Sequence, residues 1–144
     1  MFVVDTNILV YAADEGSAHY EVCRRQIETW RASAGAWFVT WGICYEFLRV
    51  VTHPAVLRNP WTATGAMGFI EALLASPGLG VLQPTERHGR VLREVIDLMP
   101  HARGNLMHDM HTAVLMREHG IRTIQTRDTD FHRFPFLEVI DPVA

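Results

Sequence analysis

The chain opens on a compact β-branched run, Phe2-Val3-Val4, which meets the polar triplet Asp5-Thr6-Asn7 and passes at once into an apolar helical pattern from Ile8 to Ala13. This switch between short apolar runs and helical stripes recurs to the end of the chain. It predicts a strand over 2–5, a helix over 7–13 and a longer helix over 18–31, capped by Ser17, with Tyr20, Cys23, Ile27 and Trp30 on one face. A buried strand follows at 36–40, then a helix from Trp41 that stops where His53 precedes Pro54, because the residue before proline is pushed out of α space. Beyond the Asn59-Pro60 loop a helix runs from Thr62 to Pro77-Gly78 despite Gly65 and Gly68.

The second half repeats the pattern. Residues 79–82 read as a strand, and Thr85 is placed to cap a helix carrying Val91, Leu92, Val95, Ile96 and Met99, closed by Pro100. In the next helix Leu106, Met110, Ala113 and Val114 form an apolar stripe, Arg117 suits the last turn and Gly120 supplies the stop. Strands at 121–126 and 137–140 flank a short helical turn at 131–134. Strand and helix alternate throughout, which argues for an α/β protein with a mostly parallel sheet. No repeat or long linker divides the 144 residues, so one domain over 1–144 is expected.

Composition narrows the class. With 49% of residues apolar and 20% charged, a folded soluble protein is expected rather than a disordered one. No apolar stretch approaches the roughly 20 residues of a membrane span, and the start, MFVVDTN, lacks a basic leader region, so a cytoplasmic location is expected. Cys23 and Cys44 fall in helical patterns without metal-ligand spacing and read as reduced packing residues.

A net charge of −3 gives no global signature of a nucleic-acid binder. Four acids nevertheless stand apart from the rest: Asp5, Glu46, Asp109 and Asp128. Setting them aside leaves 13 basic residues against 12 of the 16 acids, and all 13 are Arg, which suits bidentate phosphate contact. The same count also fits a compositional preference for Arg spread along the chain.

Each acid carries two readings. Asp5 ends the first strand, where α/β sheets place ligands, but Asp-Thr-Asn before an apolar helix is also capping chemistry. Three polar residues exceed what one cap needs, so the cap is assigned to Thr6 or Asn7 and the site to Asp5. Glu46 either pairs with Arg49 three residues on at the solvent stripe or, given its apolar neighbours, lies buried facing a cleft. Asp109 sits mid-helix, where Asp has poor propensity, with Asn105 one turn earlier on the same face. Asp128 and Asp130 follow a strand and serve either as turn caps or as site acids; they share a face only if the segment stays extended.

Taken together the acids argue for one chemistry. Clustered oxygen ligands without Cys suit hard Mg²⁺ or Mn²⁺, and crowded carboxylates without a cation would raise one another's pKa. Such an ion activates water and neutralises charge at a phosphoryl centre. Zinc ligation by His108 and His111 lacks a third ligand of motif spacing. No nucleophile elbow, P-loop or dinucleotide motif occurs, which removes motif support for acyl transfer and nucleotide cradling. Trp37, Trp41 and Trp61 read as core or interface residues, with base stacking as the alternative.

The stretches VVDTNILVYA, WGICYEFLRVVTHPAVL, GNLMHDMHTAVLMREHG and TRDTDFHRFPFLEVIDP, in this order, resemble the PIN-domain family and within it the VapC toxins of bacterial VapBC toxin–antitoxin pairs. The resemblance implies a three-layer α/β/α sandwich around a mostly parallel central sheet and an endoribonuclease dependent on Mg²⁺ or Mn²⁺, acting on tRNA or rRNA. It also implies that Asp5, Glu46, Asp109 and Asp128 are the catalytic acids, with Asp5 and Asp109 the direct metal ligands, Thr6 and Asn105 polar support and Asp130 the alternative fourth acid. A homodimer and a VapB-type antitoxin covering the acidic groove are further implications. The competing expectation is a non-catalytic scaffold acting through dimerisation and antitoxin or operator binding.

Overall fold

The computed structural model describes residues 1–144. The elements in chain order are β1 (Phe2–Val4), α1 (Thr6–Ala13), α2 (Tyr20–Ala32), β2 (Trp37–Thr40), α3 (Trp41–Val51), α4 (Ala63–Leu74), β3 (Leu79–Leu82), α5 (His88–Leu98), α6 (Leu106–Glu118), β4 (Thr123–Gln125), a 3-10 turn (Thr129–Arg133) and β5 (Glu138–Ile140). The strands form one five-stranded sheet in the order β3-β2-β1-β4-β5. Every neighbouring pair is parallel. Parallel sheets are covered on both faces, which is why the strands are apolar on both sides rather than alternating. Val3 sits between Phe38 and Ile124 in register, and Val3, Val4 and Ile124 are fully buried.

The strand order fixes the layers. The chain walks outward from β1 to β2 to β3, then returns past β1 to lay down β4 and β5. Right-handed crossovers put the helices of the outward walk on one face and those of the return on the other. Accordingly α1 packs on α2 and α3, α3 packs on α4, and α5 packs on α6. The result is the three-layer α/β/α arrangement. The strand order reverses between β1 and β4, and a crevice outside the carboxyl ends of the strands opens at such a point.

Three local expectations are corrected. Ser17 does not cap α2: its hydroxyl accepts from the His19 N–H in a turn, and the helix begins at Tyr20 without a side-chain cap. Thr85 likewise accepts from the Arg87 N–H in a turn while α5 begins at His88. In both places a local side chain–backbone turn competes successfully with capping. The apolar stripe of α6 proves too narrow, for Met110, Thr112 to Met116 and Glu118 are all buried. That helix is enclosed because α5 and the 3-10 turn also pack against it.

Two glycines are required by geometry. Gly120 ends α6 at φ 68°, in the left-handed region. Gly78, just before β3, passes so close to β2's approach that a Cβ there would lie 2.2 Å from the Gly35 carbonyl oxygen.

Candidate active site

Asp5 stands at the carboxyl end of β1, its N–H still donating to Gln125 of β4 at 3.1 Å. Asp5 is only 8% exposed, and its carboxylate is held by three donors. Oδ1 accepts from the Thr6 N–H at 2.8 Å; Oδ2 accepts from Asn7 Nδ2 at 2.9 Å and Thr126 Oγ1 at 2.7 Å. Asp5 is therefore itself the N-cap of α1, contrary to the expectation that Thr6 or Asn7 would cap. A carboxylate has about four acceptor directions, so capping and ligation are compatible, and Oδ1 keeps capacity for a further partner.

Thr126 is the residue the sequence reading missed. It is fully buried at the end of β4, and its hydroxyl donates to Asp5 while accepting from Asn7 Nδ2 at 2.9 Å and the Asp128 N–H at 2.9 Å. One donor and two acceptor positions are thereby all used. Asn7 completes the clasp by accepting the Arg127 N–H on Oδ1 at 3.2 Å. The signal available in the sequence was a lone Thr between an apolar strand and the Arg127-Asp128 pair.

The other acids arrive from separate elements. Glu46, on α3, is not buried: its side chain is 50% exposed, Oε1 lies 3.6 Å from Arg49, and Oε2 accepts a long bond from Thr6 Oγ1 at 3.4 Å. An i,i+3 pair at the solvent stripe and a place on the cleft wall coexist in this residue. Asp109 lies in the first turn of α6 rather than mid-helix, because the helix begins only at Leu106. A carboxylate is favoured there by the helix dipole.

Asp128 caps the 3-10 turn, its carboxylate accepting from the Asp130 N–H at 2.9 Å. The chain does not stay extended here, yet both side chains reach the same place. Carboxylate oxygens of Asp109, Asp128 and Asp130 lie within 4.8 Å of one another. Asn105 is exposed at the N-cap of α6 and makes no side-chain hydrogen bond.

Asp5, Thr6, Asn7, Glu46, Asp109 and Asp128 line one cleft of about 300 Å³, walled on its apolar side by Val10, Tyr11 and Val50. Asp130 and Asn105 stand outside its lining. A larger depression of about 530 Å³ near Arg58 and Trp61 holds two neighbouring acids, Asp14 and Glu15, but no set of groups converging from different elements. The smaller cleft is the one at the sheet's reversal point.

Its electrostatics are strained without a cation. Burial pushes the Asp5 carboxyl up to about 6; the Thr126 and Thr6 hydrogen bonds pull it down, while Glu46 and Asp128 push it further up. Asp109 rises to about 7, first through burial and then through the charges of Asp128, Asp5, Asp130 and Glu46. Hard oxygen donors in this concentration suit a divalent ion of the Mg²⁺ or Mn²⁺ kind. His108 and His111 belong to no comparable trio.

Comparison with known proteins gives the chain its family. The sequence model of the PIN domain matches residues 2–137. The chain is 33% identical over 140 residues to "Ribonuclease VapC48" of Mycobacterium tuberculosis, covering 97% of this chain and 96% of the relative. It is 29% identical over 144 residues to "Ribonuclease VapC37" of the same species, covering 100% and 99%. Among solved structures, VapBC2 from Rickettsia felis, bound to a promoter DNA fragment, superposes with a TM-score of 0.68 at 16% identity, covering 96% of each chain. The toxin VapC20 of Mycobacterium tuberculosis does so with 0.66 at 16% identity, covering 98% of this chain and all of that one. These two likenesses concern the fold.

Proposed function

This chain belongs to the PIN-domain family, and from that premise we propose that it is a divalent-metal-dependent endoribonuclease, the toxin of a type II toxin–antitoxin pair whose partner is a VapB-type antitoxin. The observation that carries the reading is the convergence of Asp5, Glu46, Asp109 and Asp128, from four separate segments, on one cleft at the sheet's reversal point. The full-length relatives named as ribonucleases support the substrate class.

Asp5 and Asp109 would hold the ion, with Asp128 and Asp130 beside Asp109. When bound, a divalent ion activates water at neutral pH and neutralises developing charge on the phosphoryl group. The protein's own residues do the rest. Thr126, Asn7 and the Thr6 N–H hold the Asp5 carboxylate in one orientation. Glu46, half in solvent on the rim, orients the attacking water and takes its proton. The water oxygen bonds to phosphorus as the P–O bond to the 3′ oxygen breaks, and the departing oxygen takes a proton from solvent, leaving a 3′-hydroxyl and a 5′-phosphate.

The test joins two measurements. Purified protein should cleave RNA in Mg²⁺ or Mn²⁺ and not in EDTA, Asp5→Ala should be inactive while folded, and either ion should raise the melting temperature of the wild type only. Cleavage by Asp5→Ala would refute the assignment; absence of both cleavage and any ion effect would identify a non-catalytic scaffold.

A further inference from the structure

The mechanism above leaves one buried acid unused. Glu118, in the last turn of α6, has a fully buried side chain. It accepts from the Thr85 N–H at 2.9 Å, from Thr85 Oγ1 at 2.6 Å and from His88 Nδ1 at 2.6 Å. Burial alone would raise its pKa, but these hydrogen bonds hold it below the ordinary carboxylate value. As an ionised carboxylate it only accepts, so His88 must carry a proton on Nδ1 and turn Nε2 away, an acceptor for a sugar hydroxyl when the ring is neutral and a donor to a phosphate oxygen when the ring carries both protons. The His88 side chain is 25% exposed, and Nε2 has no protein partner and is not enclosed. A buried carboxylate that fixes an imidazole and leaves its outer nitrogen free is an arrangement for contacting something in solvent.

Its place in the fold says what. His88 opens α5 just beyond the carboxyl end of β3, on the sheet edge that carries Asp5 after β1 and Asp128 after β4. The His88 and His111 rings are 6.0 Å apart, edge to face. His111 in turn lies against Gly42, where a Cβ would approach its Nδ1 to 3.2 Å. Gly42 is four residues before Glu46 on the same side of α3, about 6 Å along the axis. A chain of neighbours therefore links Glu46 on the cleft wall, through Gly42 and the His111 ring packed on it, to His88.

We infer that His88 Nε2 is a subsite for the sugar–phosphate backbone of a nucleotide flanking the cleaved bond, with Glu118 as its positioning residue. The inference rests on the proposed ribonuclease activity. A hydrogen-bond partner at Nε2 contributes to substrate binding equally before and during reaction, so it sets KM and not kcat.

The decisive variant is His88→Asn, whose amide Nδ2 stands where Nδ1 does and keeps the bond to Glu118 while Nε2 is deleted. With an RNA oligonucleotide cleaved by the wild type, KM should rise roughly fivefold to tenfold. Its kcat and melting temperature should be unchanged. A single 2′-deoxy or methylphosphonate substitution at the flanking nucleotide should raise KM for the wild type and not for His88→Asn; which of the two does so identifies the contacted group. An unchanged KM, a loss confined to kcat, or equal interference in both proteins overturns the inference. If His88→Asn fails to fold, the interference scan on the wild type decides, and indifference at every flanking nucleotide overturns it. Absence of wild-type cleavage removes the ribonuclease reading as well, whereas an unchanged KM removes this subsite alone.

Discussion

Replacing Asp109 by Asn should stabilise the ion-free protein while abolishing cleavage. Asp109 makes no side-chain hydrogen bond, so the amide breaks nothing in the protein, and it removes one charge from a cluster that also contains Asp128, Asp5, Asp130 and Glu46. The unfolded chain releases this proton near 3.8 and the folded chain holds it to about 7. Between those values the unfolded state binds fewer protons, so stability falls as pH rises and the full penalty is reached above about 7. At about 1.4 kcal/mol per pH unit the interval corresponds to roughly 4 kcal/mol. Asp109 is only half-buried, and solvent screening reduces this to about 1–2 kcal/mol. For a chain of this size that is about 3–6 °C in Tm. Thermal melts in EDTA at a series of pH values should show wild type and Asp109→Asn coinciding near pH 3.8 and diverging as pH rises, the variant melting higher. Mg²⁺ should then raise the wild type and leave the variant where it was. A variant that melts lower at neutral pH in EDTA, or a gain independent of pH, would refute the reasoning.

Thr126→Val keeps the shape of the side chain but removes one donor and two acceptor positions; urea unfolding should show a loss of about 2–3 kcal/mol and RNA cleavage should fall at least tenfold. Glu118→Ala strips three donors of their buried acceptor and should cost about 3 kcal/mol by the same assay. Because the folded pKa of Glu118 lies below the ordinary 4.5, its contribution is present above that value and disappears on acidification, so the gap between wild type and Glu118→Ala should narrow as pH falls through it.

The fold was legible because each strand is a compact apolar run and each helix carries its own period, and the punctuation at Pro54, Pro77, Pro100 and Gly120 falls between elements. What the pattern could not specify was which of several local polar groups a hydroxyl would satisfy. Ser17 and Thr85 both looked like caps, and both close turns a residue or two earlier. Glu118 carried no signal in the sequence, since its partners Thr85 and His88 lie about thirty positions away and only the packing of α5 on α6 unites them. The acids were legible as candidates, but their relation was not. Capping and ligand geometry were treated as alternatives at Asp5, and the two oxygens of one carboxylate accommodate both. Asp128 and Asp130 were treated as rivals, and a turn brings both beside Asp109.

The clasp between Asp5 and Thr126 spans 121 positions of the chain. A ribosome synthesising this protein releases Asp5 121 residues before Thr126, and β1 lacks its β4 neighbour throughout that interval. Contacts so distant in sequence are slow to form. The nascent polypeptide thus carries an unclasped carboxylate until Thr126 has emerged, so the cleft gains its fixed ligand only after both halves of the sheet have been made.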